Sequence, residues 1–242
     1  MTDLLFSLPG LAAIVTVFCA GAIQGATGFG FNMLAAPLLA LIDPAFVPGA
    51  MLIMATAVCI GGAIQERHAV ARADLGFALL GRLIAAMLAA MLIGMFSPRV
   101  FSAFFGLAVL LAVVLSLSGI RITPSPLRLF GAGLVSGFMG TLTSIGAPPM
   151  ALVYQNAEPE RMRATLKAYF FAGGVISVAA LAAAGRIGTV DFALAALMLP
   201  FAFAGFLMSG IGRRMMDKGR VRPVVLAVSS ASALVLLARA FA

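Results

Sequence analysis

The sequence predicts an all-α integral membrane protein built from two inverted repeats. Each repeat is a re-entrant or broken glycine-containing hairpin followed by three transmembrane helices. Three observations lead there. Hydrophobic residues make up 63% of the chain and charged residues 10%, with a mean hydropathy of +1.14, more apolar surface than a core of 242 residues can hide. The apolar runs are long enough to cross a ~30 Å hydrocarbon layer as helices. Landmarks in the first half recur in the second at nearly constant spacing. The whole chain, residues 1–242, reads as one transmembrane domain, with repeats over 1–120 and 121–242.

Taken in order, the apolar runs are 8–42, 45–65, 75–96, 98–118, 127–155, 164–184, 190–212 and 222–238. They are rich in Ala, Leu and Gly without strict alternation, which argues against a barrel. The opening MTDLLFSLPG has no basic region and no A-x-A site follows it, so no cleaved signal is expected. The first run contains GAIQGATGFGFNML, residues 21–34, where glycines and polar residues interrupt an apolar stretch. Non-helical backbone at membrane depth is tolerated only where protein or a water-filled cavity satisfies its polar groups. Gly25, Gly28 and Gly30 permit such a break, leaving arms of about 24 Å (8–23) and 16 Å (32–42).

The fifth run repeats the pattern with GLVSGFMGTLTSIGA, starting at Gly133. Thr27 to Thr143, Asp43-Pro44 to Glu158-Pro159, and Asp74 to Asp191 are offset by 116, 115 and 117 residues. The basic residues decide how the halves are oriented. Eight plain crossings divide the 16 Lys and Arg residues seven to nine. If 8–42 and 127–155 instead enter and return, thirteen fall on one face, and only Arg99, Arg186 and Arg239 on the other. That asymmetry places the basic face in the cytoplasm.

A half-helix that begins at membrane depth presents free N–H groups and a positive dipole end, an anion site in outline. Thr27 and Asn32 flank the first such start. Thr143, Ser144 and Gly146 precede the second, ahead of Pro148 and Pro149. Two half-helix starts facing each other near the midplane form the usual binding site of inverted-repeat transporters. The G-x-x-x-G pairs Gly21/Gly25 and Gly133/Gly137 also suit close helix packing.

Arg82 and Lys167 each fall about 10 to 12 Å along their helices. They either snorkel to the headgroups or supply positive potential to an anion path. Asp43, Asp74, Glu158, Glu160 and Asp191 sit at segment ends, and Asp74 and Asp191 read as N-caps. Proton coupling, if present, would therefore fall to the substrate itself or to His68, a loop residue. Gln155 and Asn156 either cap the second arm or line the path. Cys19 and Cys59 read as small buried hydrophobes. With His68 the only histidine, no metal cluster and no cofactor are expected. The basic residues lack interleaved aromatics, so the net charge of +8 reads as topology rather than nucleic-acid binding. A membrane-embedded hydrolase using Ser136 or Ser144 lacks a base nearby, and the chain reads as a non-enzyme. A passive anion channel shares the physics of the half-helix dipoles and stays open as an alternative.

The Q-G-A-T-G-F-G-F run, the short arm ending in D-P and the second copy at mid-chain resemble the TauE/SafE family of membrane transporters, often called sulfite exporters. The second copy, TSIGAPPM, is poorer in glycine than is usual there. The resemblance implies transport of a small anion, sulfite, a sulfonate or a related organic acid, across the bacterial inner membrane. It also implies substrate-binding roles for Gln24, Gly25, Thr27, Gly28, Gly30, Asn32, Thr143, Ser144, Gly146 and Pro148.

Overall fold

The computed structural model describes residues 7–27, 30–65, 67–118, 122–209 and 221–241, and all regular structure among them is helical. The first half supplies α1 (Leu8–Thr27), α2 (Phe31–Ile42), α3 (Gly49–Gln65), α4 (Arg72–Leu92) and α5 (Pro98–Leu117). The second supplies α6 (Pro126–Thr143), α7 (Ala147–Tyr154), α8 (Pro159–Ala183), α9 (Thr189–Leu207) and α10 (Val221–Phe241).

Helix starts follow from local chemistry. Ser97 and Ser125 accept hydrogen bonds from Val100 N–H (3.3 Å) and Arg128 N–H (3.4 Å), each followed by a proline whose missing N–H costs nothing at the first helical position. Asp74 and Asp191 are not the caps. Ala71 and Gly188 occupy the cap positions, and each aspartate lies one turn in. There Asp191 Oδ2 accepts from Gly188 N–H at 2.8 Å, while Asp74 Oδ2 accepts from Tyr154 and Arg161, both at 3.2 Å. An acid in the first turn still faces the positive dipole end.

Among the described residues, six helices are long and apolar enough to cross a membrane: α1, α4, α5, α8, α9 and α10. The expected crossings counted 45–65 and took 8–42 as a hairpin. α1 runs unbroken through Thr27 rather than stopping at residue 23, and α3 covers Gly49–Gln65 of the expected 45–65 run. The helix continues past residue 23 because Gln24, buried at 3% exposure, satisfies its amide inside the protein rather than disrupting the backbone.

Packing is exchanged between the halves. α4 lies on α6 as α9 lies on α1, α4 on α8 as α9 on α3, and α5 on α7 as α10 on α2. The α3–α8 and α5–α10 contacts are their own counterparts. At α1–α9 a Cβ on Gly21 would overlap the Ala202 carbonyl, and one on Gly205 the Phe18 carbonyl. At α4–α6 the same holds for Gly81 against Phe130 and Gly133 against Ala78. Small residues here let backbones approach where lipid supplies no hydrophobic drive between helices.

The two ends of the bundle differ in charge. One end carries His68 paired with Glu160 (3.0 Å), Arg161 paired with Asp74, and Arg128 bonded to Thr123. The other carries Arg99, bonded to the Ala240 carbonyl, Arg186 against Gly94, and Asp191 against Gly49. Gln155 and Asn156 are exposed beyond the end of α7 and do not line an interior path. Cys19 lies exposed on the outer face of α1, where an apolar thiol suits lipid, and only Cys59 is buried.

Candidate functional site: a buried arginine where two helix breaks meet

The break between α1 and α2 ends at Gly30, with φ 116° in the left-handed region that glycine enters without steric cost. Gln24 spans this break. Its Oε1 accepts from Phe31 N–H and its Nε2 donates to Cys59 Sγ on α3, both at 3.1 Å. The break between α6 and α7 passes through Ser144, a non-glycine residue at φ 63°. Such a conformation persists only when its surroundings hold it. Ser144 Oγ donates to the Pro48 carbonyl at 3.1 Å, and Thr143 Oγ1 accepts from Ile145 N–H at 3.2 Å. Ser136 Oγ donates to the Gly146 carbonyl, so the chain doubles back along α6. The two breaks touch directly, because Asn32 Nδ2 donates to the Ser144 carbonyl.

Between them lies a cavity of about 40 Å³, lined by Gln24, Gly30, Asn32, Ser144 and Gly146, and by Thr56, Cys59, Phe170, Gly174 and Arg82 from neighbouring helices. Arg82 is 3% exposed, so it does not snorkel. Its guanidinium stacks 5.3 Å from the Tyr169 ring centre, and Nη2 donates to Ser177 Oγ at 3.1 Å. Ser177 is in turn 2.8 Å from Thr141 Oγ1. Gly173 and Gly137 make room for the residue, and Gly140 lies against it. A Cβ on Gly173 would overlap Arg82 Cδ and Nε, one on Gly137 would come within 2.8 Å of its Cα, and one on Gly140 within 3.4 Å of Nη2. Nε and Nη1 have no hydrogen-bond partner. The acids among the described residues all lie at helix ends, so no carboxylate balances this charge there.

Of the twelve candidate residues, the structure gathers Gln24, Gly30, Asn32, Arg82, Ser144 and Gly146 on one cavity. Gly25 packs against Phe206 and Ser209, Thr27 Oγ1 donates to its own helix at Ile23, and Thr143 and Pro148 are buried beside the second break. Lys167 is also buried, at 2% exposure, and so does not snorkel, but it stands off the cavity lining. Gly28 lies outside the described residues. The backbone amides offer less than the sequence suggested: Phe31 N–H is taken by Gln24, and Pro148 and Pro149 have none to give. Sequence reading missed Thr56, Cys59, Tyr169 and Ser177. The adjacent Gly173 and Gly174 inside α8 were the available signal, since a glycine pair in a helix interior implies that something bulky lies against it.

An apolar helical bundle with two broken helices around a buried cationic cavity is the architecture of a multi-pass membrane transporter. The chain matches the family described as Sulfite exporter TauE/SafE over residues 13–236, nearly its whole length, and belongs to that family. No curated protein and no solved structure matches the chain.

Proposed function

We propose that the protein is a secondary transporter of small oxyanions, sulfite, sulfonates or related organic acids, across the bacterial inner membrane, with the cavity between the two breaks as its substrate site. One observation carries this reading: Arg82 is buried with no carboxylate among the described residues to balance it and has two nitrogen groups unpartnered beside that cavity. An uncompensated cation inside a membrane protein is costly and marks an ion or substrate path. A bound oxyanion supplies the missing charge and the missing acceptors together. The half-helix dipoles at Gly30 and Gly146 add to this field, as does Lys167 from α8. Gln24, Asn32 and Ser144 shape and orient the cavity.

The test is flux in proteoliposomes across a panel of sulfite, sulfonates and carboxylates under an imposed gradient. Concentrative, saturable uptake of at least one sulfur oxyanion is expected. Flux that only dissipates gradients would make the protein a channel, and no anion flux at all would reject the proposal.

The exchanged packing of the halves and the three landmark pairs at nearly constant offset support two repeats, 1–120 and 121–242, of inverted orientation. The end carrying Arg128 and Arg161 then faces the cytoplasm. Single cysteines placed beside Asp43 and Asp191 should be labelled by an impermeant reagent from outside, and those beside Arg161 and beside Lys218, which lies outside the described residues, only from inside. Labelling of the Arg161 and Lys218 positions from opposite sides would rule out this orientation.

A further inference from the structure

We infer that the cavity selects monoanions whose anionic head carries its own hydrogen-bond donor, as hydrogen sulfite and sulfamate do, over heads that offer acceptors alone. The inference rests on the proposed substrate site and narrows the class of ligand it takes.

Its basis is the set of polar groups left unsatisfied. Gln24 has committed both ends of its amide, to Phe31 N–H and to Cys59 Sγ. Ser144 Oγ donates to Pro48 O, and Thr56 Oγ1 donates to Leu52 O. Arg82 Nε and Nη1 remain as donors, and Asn32 Oδ1 is buried with no partner. The orientation of the Asn32 amide follows from chemistry. Its near neighbour is the Ser144 carbonyl, which can only accept, so Nδ2 faces it and Oδ1 is left over. An oxyanion with acceptor oxygens alone answers Arg82 but cannot answer Oδ1. A head that carries a hydroxyl or an amino group on its sulfur answers both.

The cavity of about 40 Å³ holds roughly three waters, a size suited to a compact head. In the empty protein a water can serve Oδ1. A ligand that displaces it without replacing its hydrogen bond loses affinity, and a buried acceptor left unpaired penalises binding.

Sulfamate and methanesulfonate form the discriminating pair. Both are compact monoanions at neutral pH, and they differ in an amino group against a methyl. In proteoliposomes containing the full chain, sulfamate should compete with sulfite at least about tenfold better than methanesulfonate. Asn32→Leu should bring that ratio close to one. The ratio is taken on a single protein preparation, so a lower folded yield of the variant cancels. Equal competition by the two anions in the parent overturns the inference while leaving the anion site standing. So does a sulfamate preference that survives Asn32→Leu. Failure of both to compete, with sulfite still carried, overturns it as well. Loss of all anion flux in the parent protein falls instead on the proposed function.

Discussion

Arg82→Gln should reduce oxyanion flux by at least about a hundredfold while leaving the protein folded and at least as thermostable as the parent. Each hydrogen bond to a charged group contributes about 1.5–3 kcal/mol, and two such groups are unpartnered beside the cavity. A hundredfold loss corresponds to about 2.8 kcal/mol, so losing both bonds is sufficient. The stability sign follows from the absent carboxylate. Removing a buried cation that has no carboxylate partner among the described residues relieves a cost, and Ser177, which loses the Nη2 bond, keeps Thr141 as its partner. Arg82→Lys keeps the charge but loses the planar fork and the stacking on Tyr169, and should fall between the two. Flux per folded molecule together with thermal unfolding in detergent checks both parts. Parent-like flux in the glutamine variant would show that Arg82 does not meet the substrate.

Gly133→Ala should act on stability instead. The new methyl would overlap the Ala78 carbonyl, so α4 and α6 must separate along a contact that also positions Arg82. Overpacking of this kind costs about 1–3 kcal/mol, and the obstacle here is backbone, which yields less readily than a side-chain end. Gly131, two residues earlier on the same helix, has nothing within 4 Å of its virtual Cβ. Gly131→Ala should therefore be neutral or stabilising by about 0.5–1 kcal/mol, the ordinary helix preference for alanine. A large difference in melting temperature between the two variants is the expected result. Equal melting temperatures would mean that the α4–α6 approach is looser than the structure indicates.

Much of this architecture was legible in the residues. The breaks at Gly30 and before Gly146 fall where the sequence placed them: Gly30 takes a left-handed backbone that glycine enters freely, whereas the second break puts that conformation on Ser144, which no glycine pattern announces. The length of α1 was misread because Gln24 and Gly25 look disruptive in isolation. Their partners, Cys59 and Ser209, lie 35 and 184 residues away, and local propensity carries no record of them. The position of Arg82 within its helix was clear, but not its direction. Snorkelling and burial predict the same spacing, and only the glycines on α6 and α8 distinguish them. The half-helix amides were overestimated for a related reason, since the claim of Gln24 on Phe31 follows from no motif, although the missing N–H groups of Pro148 and Pro149 stand in the sequence itself.

The surroundings of Arg82 also set an order of events in biogenesis. Its glycine groove, its aromatic platform and its hydroxyl partner come from α6 and α8, and Ser177 is 95 residues downstream. At a synthesis rate of roughly 5–20 residues per second, α4 waits roughly 5–20 s for Ser177 to be made. Throughout that interval the helix carries a central charge that insertion scales penalise by about 2.5–3.5 kcal/mol. The nascent first half therefore either lingers at the insertion machinery or holds α4 shallow, and it reaches its final depth only when the second half arrives to receive it.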